Sequence, residues 1–213
     1  MTNLVEYALQ KGVQTITLYA LSTENLKRPK EEIEFLFTLM EEYFQRYTQR
    51  LSRYDARLRV IGDISLLPPS LQAQIRKVEQ ETAQYTSKCV QLAICYGARL
   101  EIIRAVNQAV RLGKLVDERS FAKLLYTQGE ADPDLIIRTG GEERLSNFLL
   151  YQAAYSELYF SKKLFPDFSA GDLDKAFFAY ANRTRRFGKT DAQIRAQKKK
   201  TSMAGCHTRR KQV

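Results

Sequence analysis

"CVQLAICYGARLEIIRAVNQAVRLGK", residues 89–114, carries two periodicities joined at one glycine. The part before Gly97 is a short apolar run of strand length, and the part after it repeats its apolar residues with the 3.6-residue period of a helix. A strand that runs straight into a helix is half of a strand–helix–strand unit. The same order recurs along the chain. "TITLYA" (15–20) reads as a strand, followed by the polar "LSTENLKRPK" and a long helix from Pro29 to about Tyr54. "RLRVIGD" (57–63) reads as the next strand, and a helix follows from Leu71 to about Tyr85. A helix over 3–11, closed by Gly12, precedes them all. Further on come a short helix at 121–126, the strand "DLIIRT", a helical "SNFLLYQAAYS", the short strand "ELYF" and a last helix, "GDLDKAFFAYANRTRRF". Repeated units of this kind predict an α/β fold: a mostly parallel sheet with helices on both faces. In such sheets ligands sit beyond the carboxyl ends of the strands, so the loops that follow them are where function is sought.

Composition removes several kinds of chemistry. The 213 residues fit one domain with a substantial core. No apolar run reaches the roughly 18 residues of a membrane span, and "MTNLVEYALQKG" lacks the features of a signal peptide, so a cytoplasmic protein is expected. Net charge is +10, yet all of the excess lies in residues 183–213, which hold 11 Lys/Arg against Asp191. The remainder balances 23 basic against 23 acidic side chains. The body is therefore not a nucleic-acid surface, whereas a basic tail of this kind is ordinarily a solvated, mobile end that in some proteins touches anionic lipid or nucleic acid. The tail is read as residues 190–213, and a domain over 1–189 is what the resemblance described below implies. Cys89, Cys95 and Cys206 make neither a zinc pattern nor a disulfide frame, and the equal parity of Cys89 and Cys95 predicts core positions on one face. The single histidine, His207, lies in the tail, so histidine-based catalysis is excluded from the body.

Two strand ends deliver similar residues. After "TITLYA" come Ser22, Thr23, Glu24, Asn25, Leu26, Lys27 and Arg28. After "DLII" come Arg138, Thr139, Gly140 and Gly141, then Arg144, Leu145 and Ser146. A guanidinium matches phosphate oxygens bidentately, small hydroxyls complete such a cradle, and a helix starting near Ser146 would turn its positive end to an anion. For a single arginine, a surface pair with Glu24, Glu142 or Glu143 is the simpler reading. Two such loops on one sheet edge favour phosphate. Neither GxxxxGK[ST] nor GxGxxG is present, so this is not a common nucleotide site. Glu157, opening "ELYF", reads either as a solvent-facing strand end or as a carboxylate holding Mg²⁺ beside a diphosphate. The broad apolar face of the long helix is core in its simplest reading, and a hydrocarbon substrate would need the same lining.

"TLYALSTENLKRPKEE", "RLRVIGD", "YGAR", "DPDLIIRTGGEERLSNFLLYQAAYSELYF", "FPDF" and "RRFG" together resemble the isoprenyl transferase family, the cis-prenyltransferases typified by undecaprenyl diphosphate synthase. The likeness covers about residues 3–189. It implies condensation of isopentenyl diphosphate with an allylic diphosphate such as farnesyl diphosphate, giving a cis-polyprenyl diphosphate, with Mg²⁺ as cofactor. By the same resemblance Arg138, Arg144, Leu145 and Ser146 bind the isopentenyl diphosphate, and Ser22, Thr23, Glu24, Leu26 and Arg28 line the substrate site. Asn25 matches the asparagine given the proton-accepting role. As a weak base it is read here as positioning or relaying. Glu157 matches a magnesium ligand, the long helix a wall of the product tunnel, and the enzyme is expected to be a homodimer with "ELYF" and "RRFG" near the partner.

The chain also departs from the family. Leu26 replaces a tryptophan, and Cys95 and Ala98 alter the usual Asn-Tyr-Gly-Gly-Arg. The segment Asp-Gly-Asn-Gly-Arg, with its preceding strand, occurs nowhere in the 213 residues. The resemblance places a magnesium-binding aspartate and a phosphate cradle in that segment. The first strand of the fold is thus expected to be absent and the chain inactive as written. A catalytically silent partner subunit is the alternative function.

Overall fold

The computed structural model describes residues 2–184, Thr190 and Gln193. The chain divides into two compact units, residues 1–176 and 177–213. In order, the elements are α1 (Thr2–Gln10), β1 (Thr15–Ser22), α2 (Lys30–Leu51), β2 (Ala56–Ile61), α3 (Pro69–Thr82), β3 (Lys88–Tyr96) and α4 (Ala98–Arg111). They are followed by α5 (Glu118–Ala122), β4 (Leu135–Arg138), β5 (Glu157–Phe160) and α6 (Ala170–Ala181).

β3 is the middle strand of a parallel sheet of order β1-β3-β2, with Thr15 opposite Cys89 and Ala56 opposite Lys88. β4 and β5 make a second parallel pair, Leu135 opposite Glu157 and Arg138 opposite Phe160. The expected parallel α/β architecture is therefore present in two sheets, and among the described residues the outer edges of β1 and β4 have no ladder partner. Helices cover both faces of the larger sheet. On one, Val90, Leu92, Ile94 and Leu58 pack with Val5 and Leu9 of α1, Phe44 and Leu51 of α2, and Leu71, Ile75 and Val78 of α3. The buried α3 residues 71, 75, 78 and 82 follow the i, i+4, i+7 stripe of an amphipathic helix. Each large side chain so buried contributes about 1.5–3 kcal/mol. On the other face a smaller cluster joins Ile61, Ala93 and Tyr96 to Ala98 of α4 and to Leu149.

The alternation of β3 breaks at its end. Cys95 has φ +49, and the ladder with β1 is irregular at the same point. Cys95 consequently packs with Val90, Leu92 and Ile94, while Tyr96 turns to the opposite cluster. Cys89 and Cys95 are both buried, as expected, but they do not share one face. A left-handed residue shifts the two-residue period, which parity counting cannot foresee. The end of β2 is fitted to this kink: the Asp63 N–H donates to the Cys95 carbonyl at 3.2 Å, and a Cβ on Gly62 (φ +122) would stand 2.0 Å from the Ile94 carbonyl oxygen.

One expected helix is absent. "SNFLLYQAAYS" forms turns and then a short 3₁₀ helix, Gln152–Tyr155, because Ser146, Asn147 and Leu149 have φ of +50, +64 and +44. Left-handed residues cannot propagate a right-handed helix. The short helix expected over 121–126 is displaced to Glu118–Ala122 by a capping box between Asp117 and Ser120. The last residues of α6 belong to the second unit, where Asn182 Nδ2 donates to the Phe178 carbonyl at 2.8 Å. "RRFG", Cys206 and His207 lie outside the described residues. Among the described residues no helix is long and apolar enough to cross a membrane.

Candidate functional site

β1 delivers its loop as a tight polar turn. The Ser22 N–H donates to Asn25 Oδ1 at 2.9 Å, and the Asn25 N–H donates to Ser22 Oγ at 3.2 Å. These reciprocal bonds fix the carboxamide of Asn25 at the start of the 3₁₀ turn Glu24–Lys27. The Thr23 N–H donates to the Tyr96 carbonyl at 3.1 Å, tying the turn to the end of β3. Leu26 packs against the larger core, and Arg28 pairs with Glu32 on the surface of α2 at 2.8 Å.

β4 ends on Arg138. Its guanidinium donates to Ser146 Oγ at 2.8 Å and to the Arg144 carbonyl, which closes the loop 138–146 upon itself. Arg144 pairs with Glu142 on the exposed rim. Among the described residues Arg138 forms no ion pair of this kind and is held by neutral oxygens. The Gly140 N–H donates to the Lys163 carbonyl at 2.7 Å and the Gly141 N–H to that of Ser161 at 2.9 Å. Those amides brace the loop against the turn after β5 and do not line an anion cradle. No helix begins at Ser146, so the expected helix-end contribution to anion binding is also corrected.

The two loops meet at Asn147. Its Nδ2 donates to Glu24 Oε1 at 2.9 Å, its Oδ1 accepts the Arg99 N–H at 2.9 Å, and its carbonyl accepts the Ala98 N–H at 2.9 Å. Around this junction a cleft of about 420 Å³ is lined by Glu24, Arg99, Leu145, Ser146, Asn147 and Leu150. Hydrogen bonds, from its own backbone N–H first and then from Asn147, Ser22 and Thr23, hold the Glu24 carboxyl below the ordinary range against the opposing effect of burial. Behind the cleft Tyr19 stacks on Phe148 with centroids 4.8 Å apart and meets Tyr96 edge-on at 6.0 Å. Burial pushes the Tyr19 hydroxyl up to about 12, so it remains a donor, bonded to the Tyr96 carbonyl at 3.1 Å.

Of the residues read from the sequence, Ser22, Thr23, Glu24 and Asn25 and the Arg138–Leu145–Ser146 group are brought to one end of the molecule, with Arg144 at its rim. Arg28 is turned toward Glu32. Glu157 sits apart from them: the register places it three residues from the position opposite Arg138, about 10 Å along the strand. Arg99 and Asn147 went unread as site residues, although "YGAR" and "RLSNF" contain them. Magnesium takes oxygen ligands, commonly one or two carboxylates completed by substrate phosphates. Among the described residues no three His, Cys, Asp or Glu side chains converge, so they form no preassembled metal cluster. What they do offer is the guanidinium of Arg138, with that of Arg99 in the adjoining cleft, a serine hydroxyl and an ordered carboxamide, a set suited to a phosphorylated ligand with an apolar portion beside Leu145 and Leu150.

A family profile described as "Putative undecaprenyl diphosphate synthase" matches residues 1–188. Among curated proteins, the chain is 44% identical over 198 residues to a tritrans,polycis-undecaprenyl-diphosphate synthase (geranylgeranyl-diphosphate specific) of Methanopyrus kandleri, covering 89% of this chain and 73% of that protein. It is 44% identical over 191 residues to an isoprenyl transferase of Thermotoga maritima, covering 87% and 82%. Among solved structures, a probable undecaprenyl diphosphate synthase from Campylobacter jejuni superposes with a TM-score of 0.82 at 39% identity, over 89% of this chain and 90% of that one. A lavandulyl diphosphate synthase from Lavandula x intermedia, solved with dimethylallyl diphosphate, gives 0.83 at 37% identity, over 87% and 84%. The parallel α/β fold, the arginine-bearing loop after β4 and these likenesses agree: the chain belongs to the isoprenyl transferase family and is a cis-prenyltransferase by class.

Proposed function

We propose that the cleft holds the diphosphate of isopentenyl diphosphate and that the chain's reaction is its condensation with an allylic diphosphate to a cis-polyprenyl diphosphate. The observation that carries this is Arg138, held by Ser146 Oγ and a backbone carbonyl with no carboxylate partner among the described residues, beside a cleft that contains Arg99. Arg138, Arg144 and Ser146 grip the isopentenyl diphosphate oxygens. The isopentenyl double bond attacks the allylic carbon. The carbon–oxygen bond to the departing diphosphate breaks with its electron pair on oxygen, and a proton is lost from the isopentenyl unit. Stabilising the departing allylic diphosphate as its charge develops is the larger part of such catalysis, and it falls to groups other than Arg138 and Arg144, which hold the isopentenyl diphosphate. Asn25, locked by Ser22, orients the isopentenyl unit or relays its proton; a carboxamide is too weak a base to do more. Ser22, Thr23, Glu24, Leu26 and Arg28 are proposed to line the allylic side. Two allylic diphosphates appear in the names of similar proteins, geranylgeranyl and dimethylallyl, which supports this substrate class, of which farnesyl diphosphate is one example.

The assignment of Glu157 to magnesium rests on the family resemblance. The homodimer is a proposal of the same origin, whereas the cytoplasmic location and a peripheral membrane contact through the basic tail are proposals from the sequence's hydropathy and charge. The test is incubation with labelled isopentenyl diphosphate, farnesyl diphosphate and Mg²⁺, alongside a form extended at its N-terminus by a segment carrying Asp-Gly-Asn-Gly-Arg. Polyprenyl product from the extended form, abolished by Arg138→Ala, is expected. Product from the 213-residue chain alone would remove the requirement for that segment. Absence of product from both forms would favour a silent partner subunit.

A further inference from the structure

Three separate pieces of chain form the cleft, and a single side chain ties them together. Asn147 spends both ends of its carboxamide: Nδ2 on Glu24 Oε1 in the β1 loop, Oδ1 on the Arg99 N–H at the start of α4, each at 2.9 Å. Its backbone carbonyl takes the Ala98 N–H at 2.9 Å. Its φ of +64 is in the left-handed region, where asparagine is tolerated better than most residues. No other common side chain meets all three demands. Aspartate lacks the donor and would set a second carboxylate against Glu24, leucine has neither donor nor acceptor, and glutamine is one methylene too long. The neighbouring backbone has been kept clear for this arrangement: a Cβ on Gly97 would lie 2.7 Å from Asn147 Nδ2 and 2.8 Å from Thr23 Oγ1, closer than real Cβ contacts come.

We propose that Asn147 is a positioning residue that fixes the distance between the β1 loop, with Glu24 and Asn25, and the Arg138–Ser146 loop. Ser146, which holds Arg138, is its immediate chain neighbour, so a displacement of the amide moves the diphosphate grip relative to Asn25. The role is one of register between the two halves of the cleft. Asn147 itself need not touch the reacting atoms. The inference rests on the reading of the cleft as a diphosphate site.

Calorimetric titration of the full chain with isopentenyl diphosphate and, separately, inorganic diphosphate tests it, with thermal melts as a control on folding. Asn147→Asp is expected to weaken binding about tenfold or more at pH 8 and to regain part of the loss, relative to the wild-type chain at the same pH, as pH falls and one proton bridges the introduced carboxylate and Glu24. Gly97→Ala is expected to weaken binding similarly without that pH recovery. Adding Glu24→Gln to Asn147→Asp exchanges donor and acceptor and should restore most of the lost affinity. Wild-type binding in both Asn147→Asp and Gly97→Ala would overturn the positioning role. So would losses that follow the melting temperature and are not rescued by Glu24→Gln. If the wild-type chain binds neither diphosphate, the reading of the cleft itself fails, a result distinct from the other two.

Discussion

Glu101 is 1% exposed, and its carboxylate accepts three hydrogen bonds from three different elements. Tyr96 Oη of β3 donates at 2.5 Å, Gln152 Nε2 at 3.1 Å, and the Tyr126 N–H at 2.7 Å. Replacing it by glutamine keeps the shape and turns one acceptor into a donor, so at least one of the three buried donors loses its partner. A buried group left unsatisfied costs about 1–3 kcal/mol. Glu101→Ala removes all three acceptors and leaves a void, which raises the cost to about 3–5 kcal/mol. For a chain of this size 1 kcal/mol corresponds to roughly 2–4 °C in melting temperature. Glu101→Gln should thus melt about 2–12 °C below the wild-type chain, and Glu101→Ala about 6–20 °C below. The effect should also reach the cleft, because the Tyr96 carbonyl accepts the Thr23 N–H and the Tyr19 hydroxyl. Urea denaturation followed by circular dichroism measures the first quantity, and diphosphate titration the second. A Glu101→Gln chain with an unchanged urea midpoint and unchanged slope would refute the view that this carboxylate holds α4, β3 and the turn before β4 together.

Arg138→Ala should lower affinity for isopentenyl diphosphate at least tenfold by calorimetry while leaving the melting temperature within a few degrees, since the residue is only half-buried. Gly62→Ala should be far more damaging than Gly113→Ala: both glycines have positive φ, but only Gly62 faces a backbone carbonyl at 2.0 Å, whereas Gly113 has open space. Comparison of the two urea midpoints checks this. Burial raises Cys89 to about 11 and Cys95 to about 12, so the folded chain binds these protons more tightly than the unfolded one. Their contribution to stability is therefore full below the unfolded thiol value of about 8.5 and is lost as pH climbs from there toward 11–12. Denaturant midpoints between pH 8 and 10.5 should fall accordingly, and thiol reagents at pH 8 should label both cysteines only after unfolding.

The strands and long helices were legible because their signals are local. β1, β3, β4 and β5 announce themselves as short apolar runs, and α3 by the 71-75-78-82 stripe. The loops at the strand ends were legible for a different reason: sheet topology states where ligands go before any side chain is placed. What escaped was non-local. "SNFLLYQAAYS" has helical spacing, yet Leu149 serves a core cluster beside Tyr96, and Asn147 is drawn into a left-handed conformation by bonds to residues 98, 99 and 24. Cys95 breaks the parity of β3 through its φ, which no count of apolar residues reveals. Arg99 and Asn147 were missed because each looks ordinary within its own motif; only the meeting of two loops gives them a role.

The most direct measurement is equilibrium binding of isopentenyl diphosphate to the full chain, wild type against the Arg138→Ala, Arg144→Ala and Ser146→Ala variants. Saturable one-to-one binding, weakened by each change and most by Arg138→Ala with the fold intact, is the result predicted. Binding that all three substitutions leave unaltered would place the diphosphate elsewhere and contradict the account of this site.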